Sequence, residues 1–285
     1  MGFGLLTYTT VRTSARPCDP MPNILFCDDG NPARAGSRRA PAEATLAVSL
    51  GMPSMEPEVW RKDVRRAKER IGAGQILLVG VVGTPVPDGG AEALVEDYAR
   101  CARWAVEAGA NIVEVHLACP NPAAGLTSMV CEDLDLSARI VEAVRRAAGG
   151  HPTIAKLGTC ESPRRLHELA STLAPWVDGF ILVDGLQRRV VSRAGAPAFP
   201  GPGRELARVV GADTHETCRR HVEELLAWRK AGAWDKVVLA AGGITTTERA
   251  RRMLGVGADA VMVATAALLD PGLAVRFRQA RVSSA

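Results

Sequence analysis

The sequence has no apolar run near the roughly 20 residues that a membrane-spanning helix needs. Its 35 Lys and Arg residues are scattered among 31 Asp and Glu residues, so no basic block argues for nucleic-acid binding. The first ten residues show neither a basic leader nor a small-residue cleavage site, so the cytoplasm is the expected location. These absences leave a small molecule as the expected partner.

The seven cysteines are an odd number, and no two of them have the Cys-x-x-Cys spacing. This argues against a disulfide framework, a zinc site or an iron–sulfur cluster, so no metal is expected. The 285 residues, 47% hydrophobic and 23% charged, are typical of a soluble globular protein and exclude disordered, collagen-like and coiled-coil chains. We expect one barrel-sized domain over residues 1–285.

Short β-branched apolar segments alternate with amphipathic helical segments along most of the chain. The predicted strands are Leu5–Val11, Gln75–Gly83, Ile112–Leu117, Thr153–Gly158, Gly179–Asp184, Lys236–Gly242 and Ala260–Thr265. Helices are predicted near 57–72, 91–108, 132–148, 162–174, 216–231, 246–255 and 271–281. This order predicts an α/β fold whose parallel sheet is covered by helices. No dinucleotide-binding G-x-G-x-x-G follows the first strand, which favours a (β/α)8 TIM barrel over an open sheet.

Only seven strands are predicted, whereas a closed barrel of this type has eight. The barrel therefore lacks or replaces its first strand, whose place would be upstream of Met1. Residues 12–56 and 187–211 read as two long excursions without regular structure of their own. Long loops of this kind commonly cover a site.

Polar side chains are predicted inside the barrel. Alternation along the strands turns Glu114 and His116 inward, and the same parity turns Lys156 and Asp184 inward at the carboxyl ends of the next two strands. Burying charged groups costs several kcal/mol or more, by rough estimate, unless they are paired. Contact with a ligand explains them, because barrel active sites lie at that face. The alternative is a structural pair between Glu114 and Lys156.

The strand that contains His116 runs directly into a Cys119-Pro120-Asn121 turn. A cysteine at the catalytic face of a barrel is placed to act as a base or a nucleophile. Two further turns, Gly242-Gly243 and Ala264-Thr265, follow the last two strands and precede helices. Barrels commonly bind phosphate there, so we expect a phosphate-binding site.

Together these segments resemble the dihydroorotate dehydrogenase family, whose members are FMN-bound (β/α)8 barrels related to the flavin domain of dihydropyrimidine dehydrogenase. The motifs that carry the resemblance are Thr7–Arg12, Ser49–Pro53, Glu114–Asn121, Ala155–Leu157, Ala241–Ile244 and Ala264-Thr265. The resemblance implies FMN as the cofactor. It also implies that Cys119 takes the substrate proton while a hydride moves to the flavin.

The resemblance further implies the residues that hold substrate and cofactor. Substrate would contact Gly51, Met52, His116, Asn121 and Asp184. FMN would contact Thr10 and Lys156, and its phosphate would lie on Gly242, Gly243, Ala264 and Thr265, together with Gly201 or Gly203. Related barrels are often dimeric, so a homodimer is one expected assembly.

The departures from the family concern the substrate shell. Thr9 stands where the family has a Lys, and Val48 where it has an Asn. His116 and Asp184 each replace another Asn. Losing a cation and gaining a carboxylate disfavours a carboxylated substrate, so we predict a small cyclic substrate other than dihydroorotate. Two alternatives remain: a genuine dihydroorotate dehydrogenase of pyrimidine biosynthesis, and a redox-inactive barrel that serves as a binding or partner subunit.

Overall fold

A computed structural model describes residues 2–86, 89–120, 128–232 and 234–282. These residues form two sheets, whose strands are numbered in chain order. The strands are β1 (Leu5–Val11), β2 (Ile24–Phe26), β3 (Ala33–Arg34), β4 (Thr45–Val48), β5 (Ile76–Val81), β6 (Ile112–His116), β7 (Thr153–Lys156), β8 (Gly179–Leu182), β9 (Leu186–Val191), β10 (Leu206–Gly211), β11 (Val237–Ala241) and β12 (Ala260–Met262).

The larger sheet is a curled, all-parallel sheet of seven strands in the order β1-β5-β6-β7-β8-β11-β12. All seven predicted barrel strands lie in it, and helices follow them, so the prediction of an α/β fold of the TIM-barrel type is confirmed. Within the described ranges β1 and β12 form the two edges and do not pair with each other. The sheet therefore has seven strands where a closed barrel has eight.

The described helices match their predicted positions to within two residues at each end, except for one short helix that was not predicted. They are α1 (Pro57–Arg70), α2 (Gly90–Glu107), α3 (Leu134–Ala147), α4 (Pro163–Leu173), α5 (His215–Lys230), α6 (Thr247–Gly255), α7 (Thr265–Leu269) and α8 (Leu273–Val282). In α3 the side chains of Leu136, Ile140 and Val144 recur at helical spacing and are buried. The short helix α7 has too few turns to give such a signal. Among the described residues, every helix is too short or too polar to cross a lipid bilayer.

Apolar side chains pack on both sides of the parallel sheet. Val113, Val115 and Leu117 join the core between the sheet and the helices. Leu78 and Ile154 belong to a separate cluster inside the barrel. The predicted alternation along β6 is therefore confirmed, and it places Glu114 and His116 on the interior side.

The two excursions form a second sheet, in contrast to the prediction that they lack regular structure. Its strand order is β2-β4-β10-β9-β3, so the segments 12–56 and 187–211 pair with each other. The buried Arg204 also joins them, because it donates to the carbonyl oxygens of Pro20 at 3.0 Å and Ser49 at 3.0 Å. The sheet was missed because its strands are short and pair with segments far away in the sequence.

Candidate active site

Charged side chains on or just after the three neighbouring strands β6, β7 and β8 meet at the carboxyl ends of these strands. We call this end of the sheet the barrel mouth. Lys156 Nζ lies 3.2 Å from Glu114 Oε1 and 3.4 Å from Asp184 Oδ1. The structure thus contains the Glu114–Lys156 pair that the sequence left open as a structural alternative. Asp184, two residues after the end of β8, is the second carboxylate that pairs with Lys156.

Three buried polar atoms beside this pair have no hydrogen-bond partner: Glu114 Oε2 and both ring nitrogens of His116. His116 Nδ1 is 3.6 Å from Glu114 Oε1, and Nε2 is 3.9 Å from Asp184 Oδ2. Both distances exceed that of a hydrogen bond. Leaving a buried polar atom unpaired costs about 1–3 kcal/mol, so a purely structural pair does not account for this arrangement. A polar ligand in the mouth would pair these atoms.

Attraction between the opposite charges shifts the pKa values of Glu114, Lys156 and Asp184 and so decides which of them are ionised. Burial by itself raises the pKa of Glu114, but Lys156 and His116 outweigh it and leave that pKa lowered. Burial lowers the pKa of Lys156, but Glu114 and Asp184 outweigh it and raise that pKa. Burial also opposes ionisation of Asp184, yet His116, Lys156 and Arg208 hold its pKa at about 2. The carboxylates and the ammonium are therefore charged at neutral pH.

Asp184 reaches the mouth for a reason other than simple alternation. Ile181 packs inside the barrel, whereas both Leu182 and Val183 pack outside it. Strand β8 ends at Leu182, and the Asp184 N–H then donates to the Leu157 carbonyl oxygen at 3.0 Å. The break in alternation at the strand end turns Asp184 inward.

Cys119 is buried next to the end of β6. Its Sγ lies 3.2 Å from the hydroxyl oxygen of Tyr98 on α2 and 3.4 Å from the His116 carbonyl oxygen. Burial raises the pKa of Cys119 to about 11, while Tyr98, Arg12 and Arg208 act in the opposite direction. The side chain is therefore a thiol at neutral pH, with groups around it that favour the thiolate.

Two arginines, for which no role was predicted from the sequence, also lie near Cys119 or Asp184. Arg208 on β10 approaches Asp184 Oδ2 with its Nε at 3.3 Å and donates to the Ala118 carbonyl oxygen at 2.6 Å. Arg12, at the end of β1, donates to the carbonyl oxygens of Met52 and Gly83 at 3.0 and 2.7 Å. Among the described residues Arg12 has no ion pair. Arg12 lay in the Thr7–Arg12 motif, directly after a predicted strand, whereas Arg208 lay in a predicted loop.

Several predicted residues lie on the segments that surround this mouth. A Cβ added at Gly80 would lie 3.1 Å from Glu114 Oε1 and 3.4 Å from the Thr10 backbone nitrogen, so both atoms lie beside the same face of Gly80. Gly51 has a φ of 75°, and a Cβ there would overlap the Asp19 carboxylate. The Met52 carbonyl oxygen accepts a hydrogen bond from Arg12 at the end of β1.

The predicted phosphate turns are neighbours because β11 and β12 pair in parallel, with Ala241 opposite Met262. Gly242 and Gly243 have φ values of 110° and 66°, which favour glycine. Ala264 is the residue before α7, and Thr265 is its buried first residue. These four residues therefore lie at adjacent strand ends.

The remaining predictions fall elsewhere. Gly201 and Gly203 are exposed, and the next residue, Arg204, joins them to the Pro20 and Ser49 segments of the second sheet. No described contact brings them to the turn at Gly242. Asn121 lies outside the described residues.

The amino-acid sequence is similar to those of several dihydroorotate dehydrogenases. The chain is 26% identical to a dihydroorotate dehydrogenase of Dictyostelium discoideum, over 97% of this chain and 78% of that protein. It is 29% identical to a dihydroorotate dehydrogenase (quinone) of Halorhodospira halophila, over 96% and 74% of the two chains. It is 28% identical to the catalytic subunit of dihydroorotate dehydrogenase B (NAD(+)) of Desulforudis audaxviator, over 96% and 78%.

A solved structure also has this fold: dihydroorotate dehydrogenase of Eimeria tenella in complex with ferulenol. It aligns with a TM-score of 0.71 and 17% identity, over 98% of this chain and 74% of that one. Residues 220–284 match the family model described as Dihydrouridine synthase (Dus). With the barrel architecture and the motifs at Cys119 and Lys156, these similarities support a divergent member of the dihydroorotate dehydrogenase family.

Proposed function

We propose that this protein is an FMN-dependent oxidoreductase that oxidises or reduces a CH–CH bond in a small cyclic substrate other than dihydroorotate. One observation carries the proposal: three buried, unpartnered polar atoms of Glu114 and His116 lie beside Lys156 in the barrel mouth. A structural ion pair leaves such atoms unsatisfied, whereas a polar ring in the mouth would satisfy them.

The residues present fit a flavin. The pyrimidine half of a flavin ring carries an N–H donor and carbonyl acceptors, which suit a carboxylate oxygen and imidazole nitrogens. The Lys156 ammonium would stabilise negative charge on that ring. The turns at Gly242-Gly243 and Ala264-Thr265 would hold the phosphate. When bound, FMN would supply the hydride acceptor or donor of the reaction.

Cys119 would move the proton. In the thiol form its sulfur can donate a proton to a substrate carbon, and in the thiolate form it can accept one. The raised pKa favours the thiol, and the nearby guanidinium groups of Arg12 and Arg208 reduce the cost of forming the thiolate. The hydroxyl of Tyr98 can donate a hydrogen bond to that thiolate.

The substrate proposal depends on hydrogen bonding more than on net charge. His116 and Asp184 stand where the family resemblance has neutral amides, so an orotate-like ring would meet different donors and acceptors. Asp184 does not exclude a negatively charged substrate by itself, because Lys156 and Arg208 both pair with it. That pairing also supports the second candidate, a genuine dihydroorotate dehydrogenase.

The visible spectrum of the purified protein, before and after titration with FMN, tests the cofactor. We expect a flavin spectrum and about one FMN per chain. Colourless protein that takes up no FMN would contradict the proposal and favour a redox-inactive barrel.

Anaerobic reduction of the bound flavin by a panel of cyclic dihydro compounds tests the reaction. Dihydroorotate should reduce the flavin poorly, and a better substrate should lose turnover in Cys119→Ala. Rapid reduction by dihydroorotate would instead establish the second candidate. The matched control is Cys101→Ala, because Cys101 is equally buried but lies on α2.

A further inference from the structure

Arg208 reaches from the second sheet into the barrel mouth. Its Nη2 donates to the Ala118 carbonyl oxygen at 2.6 Å, one residue before Cys119, and its Nε lies 3.3 Å from Asp184 Oδ2. Both side chains of this ion pair are about five-sixths buried, with 17% and 16% exposed. A guanidinium is held in one orientation by two such contacts, so its charge stays beside Asp184.

Arg208 is the second cation, beside Lys156, that lies within ion-pair distance of Asp184. Glu114 and Asp184 are the carboxylates, and Lys156 lies between them. Without Arg208 these three groups would carry one excess negative charge. Arg208 offsets that excess at Asp184, and the same guanidinium donates to the carbonyl oxygen of Ala118, one residue before Cys119.

We propose that Arg208 is a specificity-determining residue, which acts by neutralising Asp184 so that the mouth accepts a ring bearing one negative group. This inference rests on the proposed function, because it concerns the substrate of the same site. It adds that a residue of the second sheet, outside the barrel, sets the charge preference. The second sheet is therefore part of the substrate site rather than only a cover.

Uracil and orotate form a matched pair of probes, because they share one ring and differ by a carboxylate. Binding of each to the FMN-loaded protein can be followed through the perturbation of the flavin spectrum. The informative quantity is the ratio of the two dissociation constants. A change that merely disturbs the fold alters both constants and leaves the ratio in place.

In Arg208→Gln we expect orotate to weaken relative to uracil by about tenfold, because Asp184 is no longer neutralised. Asp184→Asn should change the ratio in the opposite direction. The double variant should return close to the wild-type ratio, and Arg208→Lys, which keeps the charge, should stay near it. Arg189→Gln, an exposed arginine on β9, is the matched control and should have no effect.

An unchanged ratio in Arg208→Gln would overturn the inference, as would a double variant that keeps the defect of the single one. If the protein takes up no FMN, the proposed function itself fails. Uptake of FMN with an unchanged ratio refutes only the role of Arg208.

Discussion

The hydroxyl oxygen of Tyr98 lies 3.2 Å from Cys119 Sγ and donates to the His116 carbonyl oxygen at 2.9 Å. One fully buried side chain of α2 thus joins the cysteine to the strand that carries the charged residues. The hydroxyl can shift its hydrogen bond to the sulfur when Cys119 loses its proton. Burial and proximity to Cys119 raise the pKa of Tyr98, so it remains a hydrogen-bond donor.

Tyr98→Phe should therefore raise the pKa of Cys119 above its value of about 11, by about one unit. The physical reason is that the thiolate loses its hydrogen-bond donor. The measurement is the ultraviolet thiolate absorbance against pH, taken as the difference from the matching Cys119→Ser protein. Tyr8→Phe is the control, because the Tyr8 hydroxyl donates to Asp63 at 2.9 Å. A pKa of Cys119 that does not rise in Tyr98→Phe would show that the sulfur gains nothing from Tyr98.

Removing one partner of the Glu114–Lys156 pair should destabilise the fold. Lys156→Met leaves the Glu114 carboxylate, which is 2% exposed, without its main partner. We expect a loss of about 3–5 kcal/mol in the free energy of unfolding, measured with urea. The double variant Glu114→Gln/Lys156→Met should recover much of that loss.

The control for this experiment is Arg164→Met, which breaks an exposed pair with Glu168 on α4. Its urea midpoint should stay close to that of the wild type. Equal losses of unfolding free energy in Lys156→Met and Arg164→Met would mean that the buried Glu114–Lys156 pair stabilises the fold no more than an exposed pair does.

Asp184 should make stability depend on pH in the acid range. Its pKa is about 2 in the folded protein, whereas an unfolded Asp has a pKa near about 4. Because the folded pKa is the lower one, its contribution is complete above about pH 4 and disappears as the pH falls toward about 2. Asp184→Asn should flatten the dependence of the unfolding free energy on pH in this window. Identical slopes in the two proteins would refute the assignment.

Gly243→Ala should destabilise the turn between β11 and α6. Gly243 has a φ of 66°, and an added Cβ would lie 2.6 Å from the Cα of His215. Both effects oppose alanine, so we expect a loss of several degrees in Tm, from about 2 kcal/mol. Gly255→Ala is the matched control, because no atom lies within 4 Å of its Cβ and alanine favours the helix. A Tm for Gly243→Ala as high as that of Gly255→Ala would contradict this packing.

The periodicity of the sequence was enough to predict the barrel strands and most helices. Residues such as Val113 and Val115 must be buried on one face, and Glu114 therefore falls on the other. Strand order followed from the same alternation of strands and helices. Short elements escaped prediction, as α7 and the strands of the second sheet show, because they contain too few residues for a periodic signal.

The candidate site was predictable only in part. Cys119, Lys156 and Glu114 lie on or directly after regular strands, so their positions follow from local rules. Arg208 and Tyr98 do not, since one comes from a sheet assembled from distant segments and the other from a helix face that resembles ordinary core. Contacts between distant segments leave no local pattern.

By itself, the sequence determined a parallel α/β barrel with a cysteine and a lysine at the carboxyl ends of neighbouring strands. Only the tertiary structure decided the charge of the mouth, because Arg208 neutralises Asp184 across more than twenty residues of intervening chain. It also decided the environment of the Cys119 sulfur, which depends on Tyr98 and on the arginines around it. Electrostatic interactions act through distance in space, whereas periodicity records only distance along the chain.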